Sequence, residues 1–145
     1  MGPLRSFAGN TPGFYHYSVP GTDSGATQTQ GGYIVVGNPA ATFSATTGGG
    51  QTGTHGTMLP QPLTVTLSAG SSGGTNTGAS VLFSTDGGTL SNGTTSGAKV
   101  IAVTNSSGVA SVTLTLPATA GTVNVSAEGP YGLGHPVANF SETSQ

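Results

Sequence analysis

Few side chains in this chain are equipped for chemistry. Its three histidines are His16, His55 and His135, and its four carboxylates are Asp23, Asp86, Glu128 and Glu142. A metal site needs such groups at ligand spacing, and an acid–base centre needs them facing one another. The histidines fall one each in a hairpin, a glycine-rich loop and a last turn, with no ligand spacing between them. A glycosidase needs two carboxylates across one cleft, whereas each acid here stands near a predicted turn or strand end. Asp23 before Ser24-Gly25 and Asp86 before Gly87-Gly88 read as turn formers whose side chains hydrogen-bond the local backbone. No Gly-x-Ser-x-Gly elbow opens a helix, and the glycine clusters lack the Lys-Ser/Thr pair of a phosphate loop. The reading is a chain with no catalytic residue, no metal and no cofactor, and hence not an enzyme.

Two further chemistries need weighing. Lys99 is the one lysine and begins a predicted strand. Some Gram-positive surface sandwiches join such a lysine covalently to an asparagine, assisted by a buried acid. With no acid that must be buried, Lys99 reads as an ordinary strand-end residue. Asn92, Asn105, Asn124 and Asn139 each head an Asn-x-Ser/Thr sequon. Serine and threonine are so abundant that chance accounts for several, and they matter only in a host that glycosylates exported proteins.

Composition limits the partners. Charged residues make up 4% of the chain, against roughly 25% in an average soluble domain. Arg5 and Lys99 cannot neutralise a useful number of phosphates, so nucleic acid is not a partner. So little charge leaves little repulsion between copies and suits a protein that lives in an assembly. Cysteine is absent, so stability must come from packing and sheet hydrogen bonds. No apolar run is long enough for a membrane span. Met1-Gly2-Pro3-Leu4-Arg5 lacks the apolar core of a signal peptide. Either a leader has been removed from a longer precursor, or export by that route does not occur.

The elements that must hold these residues are strands. Residues 104–116 show the grammar: Asn105-Ser106-Ser107-Gly108 signals a turn, and Val112, Leu114 and Leu116 then alternate with polar residues. Alternation after a turn means a strand with one buried face. The same pattern places strands at Ala41–Thr47 (Phe43 and Ala45 inward), Pro62–Ala69 (Leu63, Val65, Leu67) and Ala79–Thr85 (Val81, Phe83). Others fall at Lys99–Thr104, Val109–Leu116, Thr122–Glu128 (Val123, Val125, Ala127) and Pro136–Glu142 (Ala138, Phe140). Gly48–Gly56 is where the first strand bends or switches sheets. Seven short strands with turns between them and no helical periodicity imply an all-β, two-sheet Greek-key sandwich over residues 39–145.

Residues 1–38 are different. Two strand-like runs, Gly13–Val19 and Gln28–Val36, flank a loop at Pro20–Gly25 and read as a β-hairpin. Gly37-Asn38-Pro39 then breaks the chain. A hairpin alone is marginal, so this segment must pair with something else. It is either a strand donor to the next copy or the remnant of a preceding domain. Phe14, Tyr15, Tyr17, Tyr33, Ile34 and Val36 are the expected inter-subunit contact strip.

Several stretches resemble bacterial Ig-like domains of the invasin/intimin type. They are Pro62–Leu67, Gly78–Thr85 with Gly88-Thr89-Leu90, Thr104–Ala110, Leu114–Pro117, Ala120–Ala127 and Ala138–Ser141. Residues 11–36 look like the last hairpin of another such domain. Asn105 stands where the family often has an acid, so the resemblance carries over no calcium site. It implies an Ig-like β-sandwich and a stalk, adhesin or surface-structure module, extracellular or at the cell surface. The expected function is a non-catalytic structural or adhesive module of a secreted bacterial surface protein, a filament subunit assembled by strand complementation. Its partners would be copies of itself, head to tail, or neighbouring Ig-like domains. The alternatives are a virion decoration or tail protein, and a carbohydrate-binding module using Tyr131 and the hairpin tyrosines as a stacking platform.

Overall fold

A computed structural model of the chain describes residues 13–23, 26–36, 42–68, 76–129 and 136–145, the first two segments as backbone strands only. The described residues form strands and turns with no helix. Strands β1 (Gly13–Asp23) and β2 (Ala26–Val36) make a two-stranded antiparallel sheet of their own. The other strands form two five-stranded sheets. In the first, β3 (Thr42–Thr47), β5 (Leu63–Ser68), β10 (Val109–Thr115), β7 (Thr89–Ser91) and β8 (Ser96–Gly97) lie in that order. In the second the order is β4 (Thr52–Gly53), β12 (Val137–Ser144), β11 (Gly121–Glu128), β6 (Ser80–Thr85) and β9 (Lys99–Val103).

The alternation in the sequence becomes the core. Leu63, Val65 and Leu67 of β5, Ala110, Val112 and Leu114 of β10, and Leu90 of β7 are buried from one sheet. Val81 and Phe83 of β6, Val123, Val125 and Ala127 of β11, and Ala138 and Phe140 of β12 are buried from the other. Successive strand residues point to opposite faces, so burying every second one fixes the register of each strand. On β9, where the sequence named no inward face, Val100 and Ala102 turn inward. The outer face of the first sheet is hydroxyl-lined apart from Val109, with Thr64, Thr66, Ser111, Thr113, Thr115 and Ser91 along it.

Several expectations need correcting. Pro20–Asp23 is strand rather than loop, because the β1–β2 ladder runs unbroken from Gly13↔Val36 to Asp23↔Ala26 and pairs Pro20 with Thr29. In a two-stranded sheet each strand is an edge, where a proline without an N–H is tolerated. Ala45 keeps the inward register of Phe43, pairing with the buried Val65, yet is exposed, because β3 is the edge strand of its sheet and a bulge breaks the ladder between Ala45 and Thr47. Strands β4, β7 and β8 are two or three residues long, too short for alternation to reveal. The glycine-rich stretch does switch sheets: β3 belongs to the first, and β4 runs parallel to β12 in the second.

Turns require glycine at defined points. Gly108 has φ +76°, and a Cβ there would sit 2.1 Å from the Leu67 carbonyl oxygen. Asn105 closes the same turn, its Oδ1 accepting from the N–H groups of Ser107 (2.9 Å) and Val109 (3.1 Å). A side chain at 108 therefore meets both strain and a backbone collision. Gly108→Ala should destabilise the domain, and Phe83→Ala should cost about 3–5 kcal/mol through the cavity it leaves. Urea denaturation checks both.

Candidate functional site

The residues singled out for contact lie on the hairpin. Its register sets Tyr15 opposite Ile34, His16 opposite Tyr33 and Tyr17 opposite Gly32. The side chains of both strands lie outside the described part of the structure, and with them the contact role of Phe14, Tyr15, Tyr17, Tyr33, Ile34 and Val36. Tyr131 and His135 also fall outside the described residues.

The remaining chemistry-bearing groups are dispersed. His55 is exposed; its backbone N–H donates to the carbonyl of Gln145 at 2.9 Å, and its Nδ1 lies 3.3 Å from the same oxygen. Among the described residues no three His, Asp or Glu side chains gather as a metal site would require. Asp86 is exposed and braces its neighbour strand, accepting from the backbone N–H of Asn124 at 2.7 Å and from its Nδ2 at 2.8 Å. Those two donors hold the Asp86 carboxyl below the usual aspartate range. Glu128 pairs with Val137 on the outer face of the second sheet, whereas Glu142 lies on the inner face. No two of these described acids are set across one cleft.

Glu142 is the residue that sequence reasoning missed. It is 1% exposed and belongs with the core rather than with a solvated strand end. Its Oε2 accepts from the backbone N–H of Gln51 at 2.5 Å, while Oε1 is buried with no hydrogen-bond partner. Gln51 continues the latch: its Nε2 donates to the carbonyls of Gly48 and Gln61, and its Oε1 accepts from the Gln61 N–H. Glu142 thus ties the sheet-switching glycine segment to the last strand. The one available signal was parity, because residue 142 follows Ala138 and Phe140 at every second position.

Lys99 is exposed and faces outward, paired with Ser84, on a strand separated from β12 by β6 and β11. It therefore lies on the opposite face of the sheet from Glu142, and a Lys99 cross-link assisted by that acid has no geometric basis. The sequon asparagines are mostly engaged in structure. Asn92 caps the Ile101 carbonyl at 2.9 Å and accepts from Thr94 and Thr95, Asn105 closes its turn, and Asn124 holds Asp86. Asn139 is exposed on β12.

No protein-family model matches the chain, and no curated protein matches it. Among solved structures it is similar to the D0-D1 domain of Intimin, at 21% identity and a TM-score of 0.48. That match covers 92% of this chain and 64% of the other. It is likewise similar to the D00-D0 domain of Intimin, at 22% identity and a TM-score of 0.45, over 91% of this chain and 64% of that one. The chain spans just under two thirds of each structure's length. Both are intimin domains, the type that the sequence resembles.

The two carboxylates give opposite pH dependences. Burial pushes the Glu142 carboxyl up, against the N–H donors of Gln51 and Gly50 that pull it down. Its protonated form is favoured on folding, so its contribution is full below the ordinary glutamate value and is lost as pH rises through the raised one. Asp86 contributes above the ordinary aspartate value and loses that contribution as pH falls through its lowered one. Melting temperature followed against pH should show Glu142→Gln removing the loss on the neutral side and Asp86→Asn removing the loss on the acid side.

Proposed function

We propose that the chain is a non-catalytic structural or adhesive module of a secreted bacterial surface protein, strung into an extracellular fibre with the N-terminal hairpin as the joining element. One observation carries this reading. The hairpin's eleven-residue strands pair with each other along their full length and form a sheet separate from the sandwich. A two-stranded sheet is marginal in water and needs a third strand or a packed face. The sandwich, by contrast, fills its own core between two five-stranded sheets. The unpaired edges of the hairpin would therefore be free to join another body, either the next copy or a preceding Ig-like domain of the same fibre. With a filled core on the receiving side, complementation takes the form of strand addition or face packing rather than insertion.

The low charge and the hydroxyl-lined outer face of the first sheet support a module built for a repeating surface structure. The dispersed, structurally engaged acids support the absence of catalysis. Negative-stain electron microscopy with light scattering tests the reading. The full chain should give fibres or higher-mass species, and a chain lacking residues 1–37 should give monodisperse particles. Fibres that persist without the hairpin would remove its joining role.

A further inference from the structure

The two outer faces of the sandwich differ in chemistry. On the second sheet, pairing sets Val137 opposite Glu128, Glu128 opposite Leu82, and Leu82 opposite Ile101, one row across four strands. Val103 extends it on the same face, two residues beyond Ile101. The row is about 14 Å wide at ordinary strand spacing. Ile101, Val103 and Val137 are 55%, 54% and 53% exposed, and Leu82 is half-buried. Thus three of the four large apolar side chains left exposed among the described residues cluster on one face, where the other sheet presents hydroxyls. Clustered apolar exposure marks a contact surface.

The row lies at the end of the sandwich where the chain arrives from the hairpin. Phe43, the second residue of β3, approaches Gly129 together with Pro136, immediately before Val137. Val36, the last hairpin residue, is six Cα steps from Thr42, a reach of about 20 Å at most. That tether is long enough to set the hairpin beside Val137 and too short to carry its base to the far end of an eight-residue strand and around it. The chemistry also fits. Between Gly13 and Val36 the only residue charged at neutral pH is Asp23, at the end of β1 distant from the tether. The segment carries three of the four tyrosines, a residue type with an apolar ring and a hydroxyl donor, matching a row in which the Glu128 carboxylate divides Val137 from Leu82.

We propose that the row formed by Val137, Leu82, Ile101 and Val103 is the seat of the chain's own N-terminal hairpin, so that hairpin and sandwich form one rigid unit. This rests on the hairpin being a joining element: one face of the hairpin packs on its own sandwich, and its two free strand edges remain open to the next body. The docked hairpin gains the packed face that it lacks alone, and the sandwich loses its exposed apolar row.

Hydrogen exchange of the hairpin amides in the full-length chain tests this, measured on the monodisperse fraction at several protein concentrations. In the unsubstituted chain these amides should be protected, to the same degree at every concentration. The double variant Ile101→Lys/Val137→Lys should exchange them about tenfold faster or more, while β5, β10 and β11 are unaffected. Ile101→Thr/Val137→Thr keeps the β-branch and guards against simple loss of strand structure; it should shift the hairpin in the same direction. Equal hairpin exchange in all three proteins would overturn the proposal. Protection that grows with concentration would overturn it in favour of a second copy's hairpin. Because exchange is read on unassembled protein, these outcomes are independent of whether fibres form.

Discussion

The sandwich depends on the burial of Phe83 between two sheets whose inner rows are mainly valine, leucine and alanine. The ring has no exposed surface, and it sits on β6, flanked in its sheet by β11 and β9. The register around it follows: Phe83 pairs with Ala127 on one side and Val100 on the other, two smaller residues that leave room for a ring. Large beside small is how a close-packed interior avoids voids. Because side chains alternate with a period of two, a one-residue slip anywhere in this sheet would expose its apolar set. A core of this kind leaves the outer faces free to be almost without charge.

How much of this was legible in the sequence depended on strand length and on the type of buried residue. Runs such as Leu63-Thr64-Val65-Thr66-Leu67 announce themselves, because three apolar residues at every second position line one face of a strand and scatter around a helix. Thr52-Gly53 and Ser96-Gly97 carry no such pattern; they become strands because neighbours offer unpaired backbone groups. Ala45 does share the face of Phe43, but on an edge strand beside a bulge that face is not covered, and a bulge leaves no mark in a run of Ala and Thr. Glu142 is the more instructive miss. Its position continues the inward parity of Ala138 and Phe140, but residue type argued for the surface, and the compensating donor comes from a glycine-rich segment 91 residues earlier in the chain. Local patterning cannot see a partner at that distance.

The same contrast applies to function. Chemistry that would have required several groups to converge was absent from the spacing, and the described acids and His55 are found apart, most of them engaged with backbone or asparagine. The hairpin was visible as a segment that does not fit the domain following it, and its fully paired ladder sharpens that mismatch. Neither spacing nor composition could indicate that the exposed apolar side chains align in one row, because that alignment is a property of strand order. Leu82, Ile101, Glu128 and Val137 become neighbours only once β6, β9, β11 and β12 are laid side by side.

The parallel pairing of β4 with β12 has a mechanical consequence. Thr42 lies at one end of the sandwich and Gln145 at the other, and β4 and β12 run in the same direction between them. The pairing is reinforced where the last strand ends, with the Gln145 N–H on the Gly53 carbonyl and the His55 N–H on the Gln145 carbonyl. A pull applied between Thr42 and Gln145 would therefore load β12 lengthwise against its neighbours, so that its hydrogen bonds must fail together in shear rather than open one at a time. Resistance to tension would then reside in backbone geometry, which a surface almost without charge leaves insensitive to the salt around it.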